Sequence, residues 1–219
     1  MSDELIHDVD DALKQERMAQ LWKEYGPYII AGAVLAVLMT AAITGFRAWN
    51  NKVNAANTTV ILKALDQEEQ AEMAAALSAN LDELRPGQEA LGRLTAAGLW
   101  LREEKYSEAL AEYKALSQDK SVPADMRDLA KLMTVKLSWG HGLENETDTH
   151  LAALETVWSD NNKPWRFQAR LLAAQIRAHD KQAYQKAREH LTPVMLQEGL
   201  PPSLVQRARA LAHIYMLQA

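Results

Sequence analysis

Residues Tyr25 to Phe46, YGPYIIAGAVLAVLMTAAITGF, run for 22 positions without one charged side chain. At 1.5 Å per helical residue, about 20 residues cross a hydrocarbon core of roughly 30 Å. A soluble chain of 219 residues has no core that needs a helix this long and apolar on every side. The run therefore predicts a single transmembrane helix, bounded at residues 25–49, that places the chain in a lipid bilayer. Aromatic side chains flank it: Trp22, Tyr25 and Tyr28 at one end, Phe46 and Trp49 at the other. Trp and Tyr favour the headgroup zone, so Trp22, Tyr25, Tyr28 and Trp49 are read as interface anchors. A cleavable signal has a basic leader, an apolar core of about 7–15 residues and a small-residue cleavage site. Here the leader is acidic, the apolar run is longer, and Arg47 follows it directly.

Residues 1–24 form a separate, amphipathic segment. Leu5, Val9 and Leu13 repeat at i, i+4, and Met18, Leu21, Trp22 and Tyr25 continue the stripe. Lys14, Arg17 and Lys23 face seven acids there, a net charge of −4 out of −5 for the whole chain. The remainder is close to neutral and has no cluster of Lys and Arg, which argues against nucleic acid as a partner. Three cations lie before the apolar run and two, Arg47 and Lys52, soon after it. The positive-inside rule then favours a cytoplasmic N-terminus by a margin of one charge. One face of the run is small: Gly32, Ala36, Thr40 and Thr44 step at i, i+4. Such a face lets a second membrane helix approach closely; the alternative is the ordinary Ala and Gly content of a single span.

The rest, residues 50–219, predicts an all-α domain. Breaks fall at Arg85-Pro86-Gly87, Val122-Pro123, Gly140-His141-Gly142, Lys163-Pro164 and Gly199-Leu200-Pro201-Pro202. Between them the chain is rich in Ala, Leu, Glu and Lys, all good helix formers. The strand-like Thr58-Thr59-Val60-Ile61 is short and sits among helix formers. Tyr106, Ala109, Tyr113 and Leu116 recur 78 positions on as Tyr184, Ala187, Leu191 and Val194. Between them His150, Ala153 and Val157 fit the same spacing. Ala153 to Ala187 is 34 positions, the tetratricopeptide period, and Ala109 to Ala153 is 44. This register places an insertion of about 10 residues near Gly140–Asp148. The predicted first helices are 88–103, 124–140 and 164–179, with a closing helix at 201–218 and two helices in residues 48–85. Where the tetratricopeptide consensus has a small residue in the first helix, the candidates are Ala97 and Gln175. The expected architecture is an N-terminal helix and one transmembrane helix, followed by a tetratricopeptide-like α-solenoid of antiparallel helix pairs.

On the segment DVDDALKQERMAQLWKEYGPYIIAGAVL, the span and the degenerate helical repeats, the chain resembles a known family. This is the YfgM-like family of single-pass, tetratricopeptide-repeat-like proteins of Gram-negative inner membranes, which includes an ancillary subunit of the SecYEG translocon. The stretch Leu21 to Ile30 resembles the alphaproteobacterial branch. The resemblance implies a cytoplasmic N-terminus and a periplasmic repeat domain. It also implies association with the translocon and with a membrane-anchored periplasmic chaperone, and it brings no catalytic residues.

No pattern for chemistry emerges beside it. There are no cysteines, hence no disulfide, thiolate nucleophile or cysteine zinc site. No Gly-rich phosphate loop, nucleophile elbow or zinc-binding His pair occurs. The six histidines, at 7, 141, 150, 179, 190 and 213, are scattered. The expectation is a non-enzymatic protein-binding module with no cofactor, no metal and no small-molecule substrate. A structural scaffold for another inner-membrane or envelope complex is the alternative. Trp100 and Trp165 are the candidate groove residues, with core packing as the competing role for each.

Overall fold

The structure is a computed structural model that describes residues 35–144 and 146–218. By its internal contacts the chain divides into two units, Met1–Ala56 and Asn57–Ala219. Of the first unit, residues 35–56 are described, and all are helical. The apolar side chains here are exposed, among them Leu35, Val37, Leu38, Met39, Ile43 and Phe46. Among the described residues, no helix is long and apolar enough to cross a membrane. The predicted span lies only partly within them, since residues 25–34 fall outside. Trp22, Tyr25, Tyr28, Gly32 and the amphipathic segment 1–24 fall outside as well.

The second unit is all helix among its described residues. Helical residues 57–65 open this unit as α1, so Thr58 to Ile61 are helical. Then come α2 (Gln70–Ala79), a short 3-10 turn (Leu81–Glu83), α3 (Pro86–Arg102) and α4 (Tyr106–Gln118). Helices α5 (Ala124–Gly140), α6 (Thr147–Trp158), α7 (Arg166–Lys181), α8 (Tyr184–Leu196) and α9 (Pro202–Leu217) follow. Each packs on its sequence neighbour, and α5 also meets α7, as α7 meets α9. This is the packing of a helical solenoid: α3–α4, α5–α6 and α7–α8 are antiparallel pairs, and α5, α7 and α9 share one layer. The α1–α2 segment adds a further pair against α3.

Prolines start several of these helices. Pro86 and Pro202 stand in the first turns of α3 and α9, while Pro123 and Pro201 immediately precede α5 and α9. Proline's fixed φ suits a helix start, and its missing N–H is one that has no helical acceptor there. The turns inside the pairs are built differently. Each contains a residue with left-handed backbone: Glu104 (φ 56°), Gly142 (φ 64°) and Gln182 (φ 48°). After α3, the Lys105 N–H donates to the Trp100 carbonyl at 2.9 Å and the Glu104 N–H to Leu101 at 3.2 Å. After α5, Leu143 donates to Ser138 at 2.9 Å and Gly142 to Trp139 at 3.4 Å. Both are Schellman closures, which satisfy helix-end carbonyls and reverse the chain.

Each joint between helices has its own apolar cluster. Ala64, Leu77, Leu81, Leu84 and Ala96 close α1–α2 on α3. Ala97, Trp100, Ala109 and Tyr113 hold α3 against α4. Val135, Leu151, Leu154, Val157, Ala173 and Ile176 join α5, α6 and α7. Ala174, Ala187, Leu191, Val194, Ala208 and Tyr215 join α7, α8 and α9. Gly92 makes room for one of these contacts: a Cβ there would stand 2.5 Å from the buried Leu81 Cδ2, which would have to shift.

The buried positions correct the repeat register. In α4 they include Ala109, Tyr113 and Leu116, and in α8 Ala187, Leu191 and Val194. In α6 the matching set is His150, Leu154 and Val157, whereas Ala153 is only half-buried. His150, not Ala153, therefore occupies the small-residue position. The steps are 41 and 37 positions rather than 44 and 34. The extra length lies in the α5–α6 connector, residues 141–146, which is longer than the α3–α4 connector, residues 103–105.

Candidate groove on the first helices

Helices α5, α7 and α9 line a groove of about 870 Å³. On α5 the lining side chains are Leu129, Leu132, Met133, Lys136 and Trp139, at helical spacing on one face. On α7 and its two flanking residues they are Trp165, Gln168, Leu171, Leu172, Gln175, Ala178, His179 and Gln182. Gln168 and Gln175 stand seven positions apart, two turns of α7, and Gln182 follows in the left-handed turn that ends it. Leu204, Arg207, Tyr215 and Gln218 complete the wall from α9. The floor is apolar and the walls carry amides, the mixture suited to apolar side chains together with a few fixed polar contacts.

The two candidate aromatics part company. Trp165 is half-buried on the groove wall, and its Nε1–H donates to the Asp125 carbonyl at 2.9 Å. That bond fixes the ring between α5 and the start of α7. Trp100 does not line the groove. It is buried in the α3–α4 core, with Lys105 Nζ 4.9 Å from its ring centre. Of the predicted packing face, Ala36, Thr40 and Thr44 belong to the first unit. There the Thr40 hydroxyl donates to the Ala36 carbonyl at 2.8 Å, and Thr44 to Thr40 at 2.7 Å. Both threonines are thus bonded within their own helix. Trp49 lies on the same helix, exposed, with its ring centre 6.2 Å from that of Phe46. Ala97 is buried in the α3–α4 joint, while Gln175 faces the groove.

One rim of the groove is held by a carboxylate. Asp180 accepts from Trp139 Nε1 at 3.2 Å to each oxygen, from the Thr147 hydroxyl at 2.7 Å and from His179 Nδ1 at 2.8 Å. Burial alone would push Asp180 up. The bonds from His179, Thr147 and Trp139 outweigh it and hold the carboxyl below its usual range. Beside it His141 stacks on Tyr106 with ring centres 3.6 Å apart. Two histidines and an acid thus reach the rim. The nearest hydroxyl, that of Thr147, donates to the acid itself and is not set up as a nucleophile against a base. Among the described residues, no group of three His, Cys, Asp or Glu is placed to hold a metal ion.

Two other histidines are structural. His150 Nε2 lies 2.9 Å from the Ser138 hydroxyl, which in turn donates to the Thr134 carbonyl at 2.9 Å. The hydroxyl's one proton goes to that carbonyl, so the ring donates from Nε2. His190 Nε2 accepts from Arg177 Nε at 2.9 Å, and its ring meets Trp158 edge-on at 4.9 Å. Burial pushes both imidazoles down, and the Arg177 and Arg170 charges push His190 further, to about 4. A histidine held neutral in the fold stabilises fully above its unfolded value of 6.5. Below that, the unfolded chain takes up the proton first, and stability falls until pH reaches about 4. Allowing for solvent screening of a part-exposed ring, His190 should account for about 2 kcal/mol of this loss. His190→Gln keeps an acceptor for Arg177 and cannot titrate. Urea unfolding of both proteins between pH 7 and pH 4 should show the wild type losing more stability by that amount. Parallel curves would show that the ring titrates equally in both states.

No family model matches this chain, and no curated protein or solved structure matches it.

Proposed function

We propose that the helical unit is a protein-binding module that holds a segment of a partner chain in the groove, without chemical turnover. The observation that carries this reading is the groove itself. It is an apolar floor about 870 Å³ in volume, walled by amides and one oriented tryptophan, on the layer formed by α5, α7 and α9. Solenoids present such elongated surfaces because each repeat adds one more helix to the same layer. Helix-in-groove and extended-segment recognition both use apolar side chains seated between helices.

The same reading makes residues 25–49 a membrane anchor, with the N-terminus in the cytoplasm and the repeat domain in the periplasm of a Gram-negative bacterium. Its support is the uncharged run of 22 residues and the exposure of large apolar side chains along 35–46. A soluble protein rarely exposes so continuous an apolar surface. The anchor holds the module where partner chains are concentrated, and local concentration then substitutes for tight binding. By family resemblance, the partners are the SecYEG translocon and a periplasmic chaperone. The alternative partner is another inner-membrane or envelope complex, for which the protein acts as a scaffold.

Photo-crosslinking in native membranes tests the whole reading, with one probe at Ala36 and one at Gln168 on the groove wall. Translocon subunits captured at Ala36 and a periplasmic chaperone at Gln168 are expected. A different set of membrane proteins at Ala36 would favour the scaffold. Cytoplasmic proteins at Gln168 would overturn the topology.

A further inference from the structure

The chain as a whole is acidic, with a net charge of −5. The groove is not. Its lining carries Lys136 and Arg207 and not one carboxylate. The separation holds along the stretches of helix that line it. From 129 to 140, 164 to 182 and 200 to 219 the sequence holds a single acid, Asp180, already engaged by Trp139, Thr147 and His179. The second helices carry Glu108, Glu112, Asp148, Glu155 and Glu189, and the two acids of α5, Asp125 and Asp128, stand in its first turns and do not line the groove. Lys136 stands on α5 and Arg207 on α9, across the groove from each other, with α7, its Gln168 and Gln175, and Gln182 of the following turn between. Some cations of this unit are paired: Arg93 bonds Glu89 and Glu112, Lys163 bonds Asp128, and Lys181 bonds Asp148. Among the described residues neither Lys136 nor Arg207 has a carboxylate partner.

We infer that the groove selects an amphipathic acidic segment of a partner protein, seating its apolar side chains on the floor and placing its Asp or Glu side chains against Lys136 and Arg207. The inference rests on the protein-binding reading above and adds a charge rule to it. The physical ground is complementarity. A basic wall rejects a basic segment, and it admits an acidic one without stranding a carboxylate beside another. The amides of Gln168, Gln175 and Gln182 are neutral, so they neither oppose nor create this preference; they can bond the backbone of any occupant.

The test uses the full-length protein in nanodiscs and three labelled peptides of one length. All share the same leucine stripe and differ only in carrying Glu, Gln or Lys at the flanking positions. Fluorescence anisotropy should show the Glu peptide binding about tenfold more tightly than the Gln peptide, and the Lys peptide most weakly. Raising the salt concentration should shrink the difference. K136Q/R207Q should bring the Glu peptide to the level of the Gln peptide, and K136E/R207E should reverse the order in favour of Lys. Both positions are exposed, and matching melting curves control for folding. Gln175→Trp, which fills the groove from α7, should abolish binding of all three. Equal binding of the Glu and Gln peptides, still blocked by Gln175→Trp, would overturn the charge rule and leave the groove reading standing. An acidic preference untouched by these variants would put the binding elsewhere and overturn both. Failure of all three peptides to bind would also overturn both.

Discussion

Trp100→Ala is expected to lower the stability of the helical unit by about 3–5 kcal/mol, the range for emptying a buried tryptophan site. The indole sits at 9% exposure among Ala97, Leu99, Ala109, Leu110 and Tyr113. Its neighbours on α4 are fixed by the Glu104 turn and cannot close over the space. The informative control is Trp165→Ala. That ring is half-buried and has one hydrogen bond, to the Asp125 carbonyl, so its removal should cost only about 1–2 kcal/mol. Thermal melts should therefore separate the two variants, and partner capture should separate them the other way. Trp165→Ala loses binding with the fold intact, and Trp100→Ala, below its lowered melting temperature, keeps binding. Equal melting temperatures would show that Trp100 is not the keystone of the α3–α4 joint.

Leu154→Ala is expected to cost about 3–5 kcal/mol and to change the shape of the unfolding curve as well. Leu154 is fully buried in α6, in the cluster that ties α5 to α7. Helices of this unit pack chiefly on their sequence neighbours, so stability is a chain of nearest-neighbour couplings. Weakening a central coupling should let the α1–α4 and α7–α9 ends unfold at different denaturant concentrations. Wild-type urea curves by circular dichroism and by tryptophan fluorescence should coincide, and those of Leu154→Ala should not. A single, uniformly shifted transition would show that coupling reaches beyond adjacent pairs.

Much of this architecture could be read in the sequence, because proline and apolar periodicity mark solenoid helices well. Predicted first helices at 88–103, 124–140 and 164–179 correspond to α3, α5 and α7 within a few residues. Two of the three turns inside the pairs carried no signal, since Glu104 and Gln182 adopt the left-handed backbone without being glycine. The middle repeat was misregistered for a related reason. Matching alanine to alanine picks Ala153, but the position is filled by His150, made tolerable by its bond to Ser138. No spacing rule announces a buried histidine in place of a methyl group. The groove was legible only through Trp165. Lys136 and Arg207 are 71 positions apart and meet only because α5 and α9 flank α7 in one layer. What the sequence does hold is a single acid across 129–140, 164–182 and 200–219, a pattern that acquires meaning once these stretches are known to form one wall.

Neighbour-to-neighbour packing also bears on how such a chain is made. The turns inside the pairs are two to six residues long, at 182–183, 103–105 and 141–146, so closing each pair costs little loop entropy. Contacts of short sequence separation form fast and need no distant part of the chain. A chain delivered from its N-terminus can therefore complete α3–α4 before α5 exists, and α5–α6 before α7. Each finished pair offers the next helix a ready apolar face, which shortens the time that Leu154 or Ile176 spends exposed. The groove comes last. It has no second wall until α9 settles on α7 and α8.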